Sequence, residues 1–240
     1  MKKLTTAITV ILLSAGAGTA FYSCNTNAYS VSETVMLDKT DSFLAVPDST
    51  AVRNSFHTST DLWQGYEFRL LMLSDVDFNS VHEANLAPAC EYISNYYDRT
   101  DESKMFLLKI DSAFEKVKSV PSGRNYSSLY LPIAVELKRL SESTAKRRIL
   151  VVYSDLMENT SLISFYKSEK FQLIKTNPNS VRRILESEIP MPDLKGIEVY
   201  LIYQPQNNYD SELFREVSGF YKKWLESKGA KVNIGANLIL

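Results

Sequence analysis

The chain has 240 residues, of which 45% are hydrophobic and 23% are charged, and its 27 basic residues nearly balance its 28 acidic residues. This length and composition are enough for one domain of ordinary or slightly large size with a full apolar core. We expect no nucleic acid among its main partners, because phosphate binding needs clustered lysine and arginine and no basic stripe stands out.

The chain begins with a charged pair and an apolar stretch, followed by small residues, a pattern typical of an export signal over residues 1–23. The apolar part is too short and too rich in Gly and Ala for a membrane span. The end of this segment, Phe-Tyr-Ser-Cys, resembles the cleavage box of bacterial lipoproteins and predicts a lipid on Cys24. The protein would then be anchored in the cell envelope, in the periplasm or at the outer membrane. The alternative is cleavage after Ala20, which gives a soluble secreted or periplasmic protein.

The sequence has two cysteines, Cys24 and Cys90. If Cys24 carries lipid, Cys90 has no partner within the chain, and the fold must be stable without a disulfide. If Cys24 carries no lipid, a 24–90 disulfide becomes possible. Removal of residues 1–23 takes away two lysines and no acid, so the mature formal charge is −3.

The sequence predicts three parts: a signal peptide over residues 1–23, a lipid-anchored tether over residues 24–32 and one domain over residues 33–240. The tether is polar, and at roughly 3.3 Å per residue it reaches about 25–30 Å from its anchor. The domain would therefore lie close to the membrane.

Five apolar segments predict buried strands: residues 34–37, 68–73, 149–153, 197–203 and 231–234. The first and third are apolar almost without alternation, which is typical of parallel strands that helices cover on both faces.

Apolar residues at helical spacing predict helices over residues 106–117, 129–140 and 213–225, the last with Asp210 as its N-cap and Gly229 at its end. Strands that alternate with helices indicate an α/β fold: a doubly wound, mostly parallel, Rossmann-like sheet with helices on both faces. The stretches 43–62 and 155–195 are less regular.

Polar side chains follow the two strands with continuous apolar character. Asp38, Thr40 and Ser42 come directly after the first, and Asp155 follows the strand over residues 149–153. The segment SGRNYSSLYLPI, residues 122–133, lies between them in the sequence and forms a polar loop that leads into a predicted helix. In an open parallel sheet, ligands bind at the carboxyl ends of the strands where the direction of winding reverses, so the three loops are expected to converge there.

This order of motifs resembles the von Willebrand factor A (vWA) domain over roughly residues 33–238. That family has a metal-ion-dependent adhesion site with Asp-x-Ser/Thr-x-Ser after the first strand, which Asp38, Thr40 and Ser42 match. The family also has an Asp after a later strand, which Asp155 matches. Leu156 then stands where the family commonly has glycine, so a differently shaped loop is expected there.

The resemblance also implies a threonine ligand in a loop before a helix. Aligning that loop with "SSLYLPI" puts Ser127 in the threonine position, and Asn125 is the competing choice.

The resemblance implies a Mg²⁺ site, with Mn²⁺ or Ca²⁺ as alternatives, that binds an acidic residue of a partner protein. Magnesium prefers oxygen ligands and keeps several waters, so hydroxyls add ligands without adding negative charge. We therefore expect a binding or assembly module and not an enzyme. One alternative is the same fold as a scaffold with a degenerate, metal-free site. A metal-dependent phosphohydrolase is disfavoured, because haloacid-dehalogenase-type phosphatases need a second Asp where this chain has Thr40.

Overall fold

The computed structural model describes residues 29–39, 47, 49–73, 80–120 and 127–240. They form an α/β fold with a central six-stranded, mostly parallel sheet and helices packed on both faces, which confirms the predicted fold class. None of the helices in these ranges combines the length and the apolar character that a membrane crossing requires.

The strands, in chain order, are β1 (Tyr29–Asp38), β2 (Gly65–Leu73), β3 (Ser80–Leu86), β4 (Arg147–Tyr153), β5 (Ile197–Ile202) and β6 (Lys231–Gly235). The helices are α1 (Ser49–Ser55), α2 (Tyr96–Lys118), α3 (Tyr130–Glu142), α4 (Ser168–Thr176), α5 (Pro178–Leu185) and α6 (Asn208–Ser227).

The strand order is β3-β2-β1-β4-β5-β6, and every neighbouring pair is parallel except β2 and β3. The winding reverses between β1 and β4, because β2 and β3 lie on one side of β1 and the later strands lie on the other. The sequence did not predict β3, which is an edge strand with only Ala84 and Leu86 buried. One-sided burial leaves too few apolar positions for a clear alternation.

Strand β1 begins earlier than the sequence predicted. Tyr29 pairs with Gly65, its carbonyl accepts a hydrogen bond from the Lys146 amide at 3.1 Å, and Val31 and Ser32 are buried. The sequence predicts that residues 29–32 belong to the tether, whereas in the structure they form the first part of β1. Backbone pairing with strands on both sides accommodates a polar sequence that has no strand signature of its own. The rest of the predicted tether lies outside the described residues.

Side chains of β1 alternate between two apolar cores. Val35 and Leu37 join a core under α1 and α2, while Met36 joins a larger core under α3, α4, α5 and α6. Coverage on both faces explains the continuous apolar character of the central strands.

Two helical details differ from the prediction. The stretch 155–195 contains α4 and α5, and α5 begins with Pro178 in its first turn behind the N-cap Asn177. The N-cap of α6 is Asn207, whose Oδ1 accepts a hydrogen bond from the Asp210 amide at 2.9 Å. Asp210 itself lies in the first turn, where a negative charge interacts favourably with the helix dipole.

Candidate functional site

The carboxyl ends of β1 and β4 are neighbours. Leu37 pairs with Tyr153, which places Asp38 beside Ser154 at the point where the winding reverses. The Ser154 hydroxyl donates a hydrogen bond to Oδ2 of Asp38 at 2.7 Å, and Asp38 is only 1% exposed. The two loops that follow these strands are therefore joined by a buried side-chain contact, although 116 positions separate its residues.

The turn after β4 is shaped by its own polar side chains. The Leu156 amide donates to the Ser154 hydroxyl at 2.9 Å, and the Met157 amide donates to Oδ1 of Asp155 at 2.9 Å. Leu156 is fully buried and has a φ of 63°. This left-handed conformation costs a residue with a Cβ roughly 1–2 kcal/mol, and glycine adopts it freely. The loop thus holds a glycine-like backbone despite its leucine.

The loop before α3 is tied to the loop after β4. The Ser127 amide donates to the Asn159 carbonyl at 3.2 Å, and the Asn159 amide donates to the Ser127 carbonyl at 2.8 Å. Ser127 is 6% exposed, and among the described residues its hydroxyl has no hydrogen-bond partner although it is buried. A buried hydroxyl without a partner is costly, so this atom has capacity for a ligand.

Glu158 is a further member of this cluster. It is 2% exposed, and its Oε2 accepts hydrogen bonds from the amides of Leu129 (3.1 Å) and Tyr130 (2.9 Å) at the start of α3. Burial raises the pKa of Glu158 to about 7, these two bonds oppose the rise, and the negative charges of Glu188 and Asp38 add to it. The carboxyl group therefore lies within electrostatic reach of Asp38.

From the sequence alone, Glu158 and Asn159 either reach this edge or begin the next helix; the local pattern favours the helix, and the structure contradicts it. Both residues lie in a non-helical segment, and α4 begins only at Ser168. No local pattern reveals the role of Glu158, because the amides that it caps are about thirty residues earlier in the chain.

The structure places three of the five predicted metal ligands at this edge: Asp38, Ser127 and Asp155. The other two, Thr40 and Ser42, lie outside the described residues, as does Asn125. Within the described ranges no group of three or more His, Cys, Asp or Glu side chains is arranged to hold a metal ion. The predicted site has two carboxylates and three hydroxyls, so it differs from a group of three or more His, Cys, Asp or Glu side chains.

The residues present are chemically suited to magnesium. Asp38, Ser127 and Asp155 offer oxygen atoms only, which hard cations such as Mg²⁺ prefer. The hydrogen bonds that Ser154 and the Met157 amide make to the two carboxylates are of the kind that usually orients metal-binding carboxylates. The buried hydroxyl of Ser127 adds a third oxygen ligand, because it makes no hydrogen bond within the described part of the chain.

Cys90 is 6% exposed and is disulfide-bonded. The sequence has one other cysteine, Cys24, which lies outside the described residues.

No protein-family model matches the chain, and no curated protein matches it at a significant level. The functional interpretation therefore rests on the geometry and chemistry of the carboxyl edge.

Proposed function

We propose that this chain is an exported binding or assembly module with a vWA-like fold, and that its binding site is the carboxyl edge of β1 and β4. The site holds a divalent cation, Mg²⁺, which binds an acidic residue of a partner protein. The proposed ligands are Asp38, Thr40, Ser42, Ser127 and Asp155. The observation that carries this proposal is the convergence of three loops at one edge, through the Asp38–Ser154 hydrogen bond and the Ser127–Asn159 bridge.

Two further observations support a binding role for this edge. It lies where the winding of the sheet reverses, which is the usual place for ligands in open α/β sheets. The left-handed Leu156 stores backbone strain directly after Asp155, and such strain concentrates at functional sites.

The electrostatics of the edge also favour a cation. Asp38 and Glu158 are both almost fully buried, and the negative charge of Asp38 disfavours the ionised form of Glu158. A cation at this edge would offset the repulsion and would lower the pKa of Glu158 from about 7.

The first prediction concerns the metal. We expect Mg²⁺ to raise the stability of the wild-type protein by about 2.7 kcal/mol at a concentration 100 times its dissociation constant. The Asp38→Asn variant is expected to lose this response, because it keeps the shape of the side chain and removes the charge that holds the cation. The measurement is the melting temperature against free Mg²⁺, with capture of the partner as a second readout.

Asp101→Asn is the matched control, since Asp101 is an exposed carboxylate on α2 that pairs only with Lys104 among the described residues. This control should respond to Mg²⁺ as the wild type does. If the wild type shows no response, or if Asp38→Asn keeps a full one, the metal site is wrong.

A metal-free scaffold is the second candidate function. Its support is that both carboxylates already accept hydrogen bonds from the protein, from Ser154 and from the Met157 amide. This alternative predicts partner binding at the same edge without any effect of Mg²⁺. Phosphohydrolase activity stays a weaker prediction from the sequence, and a phosphatase assay with Mg²⁺ tests it.

Export is supported by the signal-like N-terminus and by the disulfide of Cys90, because disulfides persist in oxidising compartments. The same disulfide counts against a lipid on Cys24. One sulfur atom cannot form both a thioether to lipid and a disulfide, and Cys24 is the only possible partner within the chain. A lipid on Cys24 gives the anchored envelope protein, whereas a disulfide on Cys24 gives the soluble secreted or periplasmic protein, and the two states exclude each other.

The second prediction is that Cys24 and Cys90 form a bond in the exported protein. The intact mass under non-reducing conditions should be lower than the reduced mass by two hydrogen atoms, and no fatty acid should be incorporated. Cys24→Ser should expose one reactive thiol on Cys90 after unfolding. Incorporation of labelled fatty acid that is lost in Cys24→Ser would instead establish the lipid anchor.

A further inference from the structure

A cavity of about 490 Å³ lies in the helical layer formed by α4, α5 and α6. Its volume falls within the range of pockets that bind small molecules, which is roughly 300–1,000 Å³. The carboxyl-edge site uses none of the residues that line it.

The lining of this cavity is strongly basic. Lys175 comes from α4, Arg182 from α5, and Arg215 and Lys223 from α6, while Glu216 is the one acidic residue. Oε1 of Glu216 lies 3.3 Å from Lys175 Nζ and 3.8 Å from Arg215 Nη2, so one carboxylate oxygen serves two cations. The cavity therefore keeps an excess of positive charge in a protein whose overall formal charge is negative.

Arg182 is held in place by two aromatic rings. Its guanidinium carbon lies 5.9 Å from the centre of the Phe220 ring and 5.8 Å from that of Trp224. Cation–π contacts of this kind fix the position of the guanidinium group. Its Nε is buried and has no hydrogen-bond partner within the described ranges. A guanidinium group that is fixed in place and lines a cavity is suited to bind a phosphate oxygen through its planar set of N–H donors.

Gly219 keeps the helical wall of the cavity open. It lies in the middle of α6, where glycine destabilises a helix relative to alanine. A Cβ atom at this position would meet nothing within 4 Å, so packing does not require the glycine. Its effect is to leave space beside Phe220.

We propose that this cavity binds a small organic phosphate. Lys175, Arg182, Arg215 and Lys223 surround the phosphate groups, and Ile174 and Phe220 contact the apolar part of the ligand. Several cations around one cavity favour a multiply charged group over a single carboxylate. The sequence shows no basic stripe, because the four cations come from three helices and converge only in the folded protein.

The test is binding of adenosine diphosphate, pyrophosphate and uncharged adenosine by isothermal titration, with vesicles that contain phosphatidic acid as a further arm. We expect binding of the phosphate compounds that weakens with salt, and none of adenosine. Arg182→Ala should weaken this binding at least about tenfold, because it removes the charge-assisted hydrogen bonds to the phosphate. Lys223→Ala changes an exposed residue and should weaken binding without any effect on folding.

Arg183→Ala is the matched control, because Arg183 is exposed on the same helix, carries the same charge and does not line the cavity. Gly219→Leu fills the cavity without removing a charge and should abolish binding. Binding to vesicles alone that requires Arg182 and Lys223 would assign the phosphate to a lipid headgroup. Binding to soluble probes alone would assign it to a metabolite. The proposal is overturned if no phosphate compound binds, or if the cavity variants and Arg183→Ala behave alike.

Discussion

Replacing Glu33 with glutamine is expected to stabilise the protein at alkaline pH. Glu33 is completely buried in the core under α1 and α2, and the Ser55 hydroxyl donates a hydrogen bond to its Oε2. Its other oxygen is buried without a hydrogen-bond partner among the described residues. Burial raises the pKa of Glu33 to about 8; the Ser55 bond and the nearby Arg147 oppose the rise, and Glu198 adds to it.

The direction of the pH dependence follows from the raised pKa. Below about pH 4.5 the carboxyl group is protonated in both the folded and the unfolded state. Between pH 4.5 and 8 the folded state holds a proton that the unfolded state has released, so the free energy of unfolding falls as pH rises. Above pH 8 the free energy of unfolding has fallen by an amount on the order of 3–5 kcal/mol relative to its value below pH 4.5. Glutamine has no charge to bury, so it avoids this loss.

The measurement is denaturant unfolding of the wild type and Glu33→Gln between pH 5 and 9. Glu158 contributes a loss of the same sign, but only up to its own pKa of about 7. The interval from pH 7 to 9 therefore isolates Glu33. Glu115→Gln, an exposed carboxylate on α2, is the control and should follow the wild type. If the free energy of unfolding depends on pH between 7 and 9 in Glu33→Gln as it does in the wild type, Glu33 does not ionise in that interval.

Replacing Glu136 with alanine is expected to have the opposite effect and to destabilise the protein strongly. Glu136 is 3% exposed on α3, and its two oxygens bind Arg69 Nη2 at 3.0 Å and Arg139 Nε at 2.8 Å. The Thr34 hydroxyl donates to it at 3.2 Å. Removal of the carboxylate leaves two partly buried guanidinium groups without this partner, and breaking a buried ion pair costs roughly 3–5 kcal/mol.

Both arginines retain some exposure, 22% for Arg69 and 30% for Arg139, which places the expected cost near the lower end, about 3 kcal/mol. The measurement is denaturant unfolding near neutral pH. Glu83→Ala is the control, because Glu83 also pairs with Arg69 but is 60% exposed, and its loss should cost less than about 1 kcal/mol. Equal stability of Glu136→Ala and Glu83→Ala would contradict the proposed role of burial.

The two glutamates act on opposite faces of one strand. Glu33 faces the core under α1, and the next residue, Thr34, reaches Glu136 on the side of α3. The two substitutions are expected to change stability in opposite directions because the two carboxylates differ in their partners and not in burial alone. Glu136 has two arginine partners, whereas among the described residues Glu33 has a hydroxyl as its one direct hydrogen-bond partner.

The sequence alone was enough to predict five of the six strands, the long helices and the mostly parallel sheet. These elements depend on local periodicity, which buried strands and amphipathic helices display in the sequence itself. It was also enough to place Asp38 and Asp155 at one edge of the sheet, because each directly follows a recognisable buried strand.

Contacts between residues that are distant in sequence were decided only by the tertiary structure. The capping of α3 by Glu158, the bridge between Ser127 and Asn159 and the basic cavity around Arg182 all join separate elements. Their energies arise from burial and charge at positions that packing brings together, and no local pattern encodes which partners meet. The edge strand β3 belongs with them, because its pairing with β2 holds it in the sheet more than its own weak pattern does.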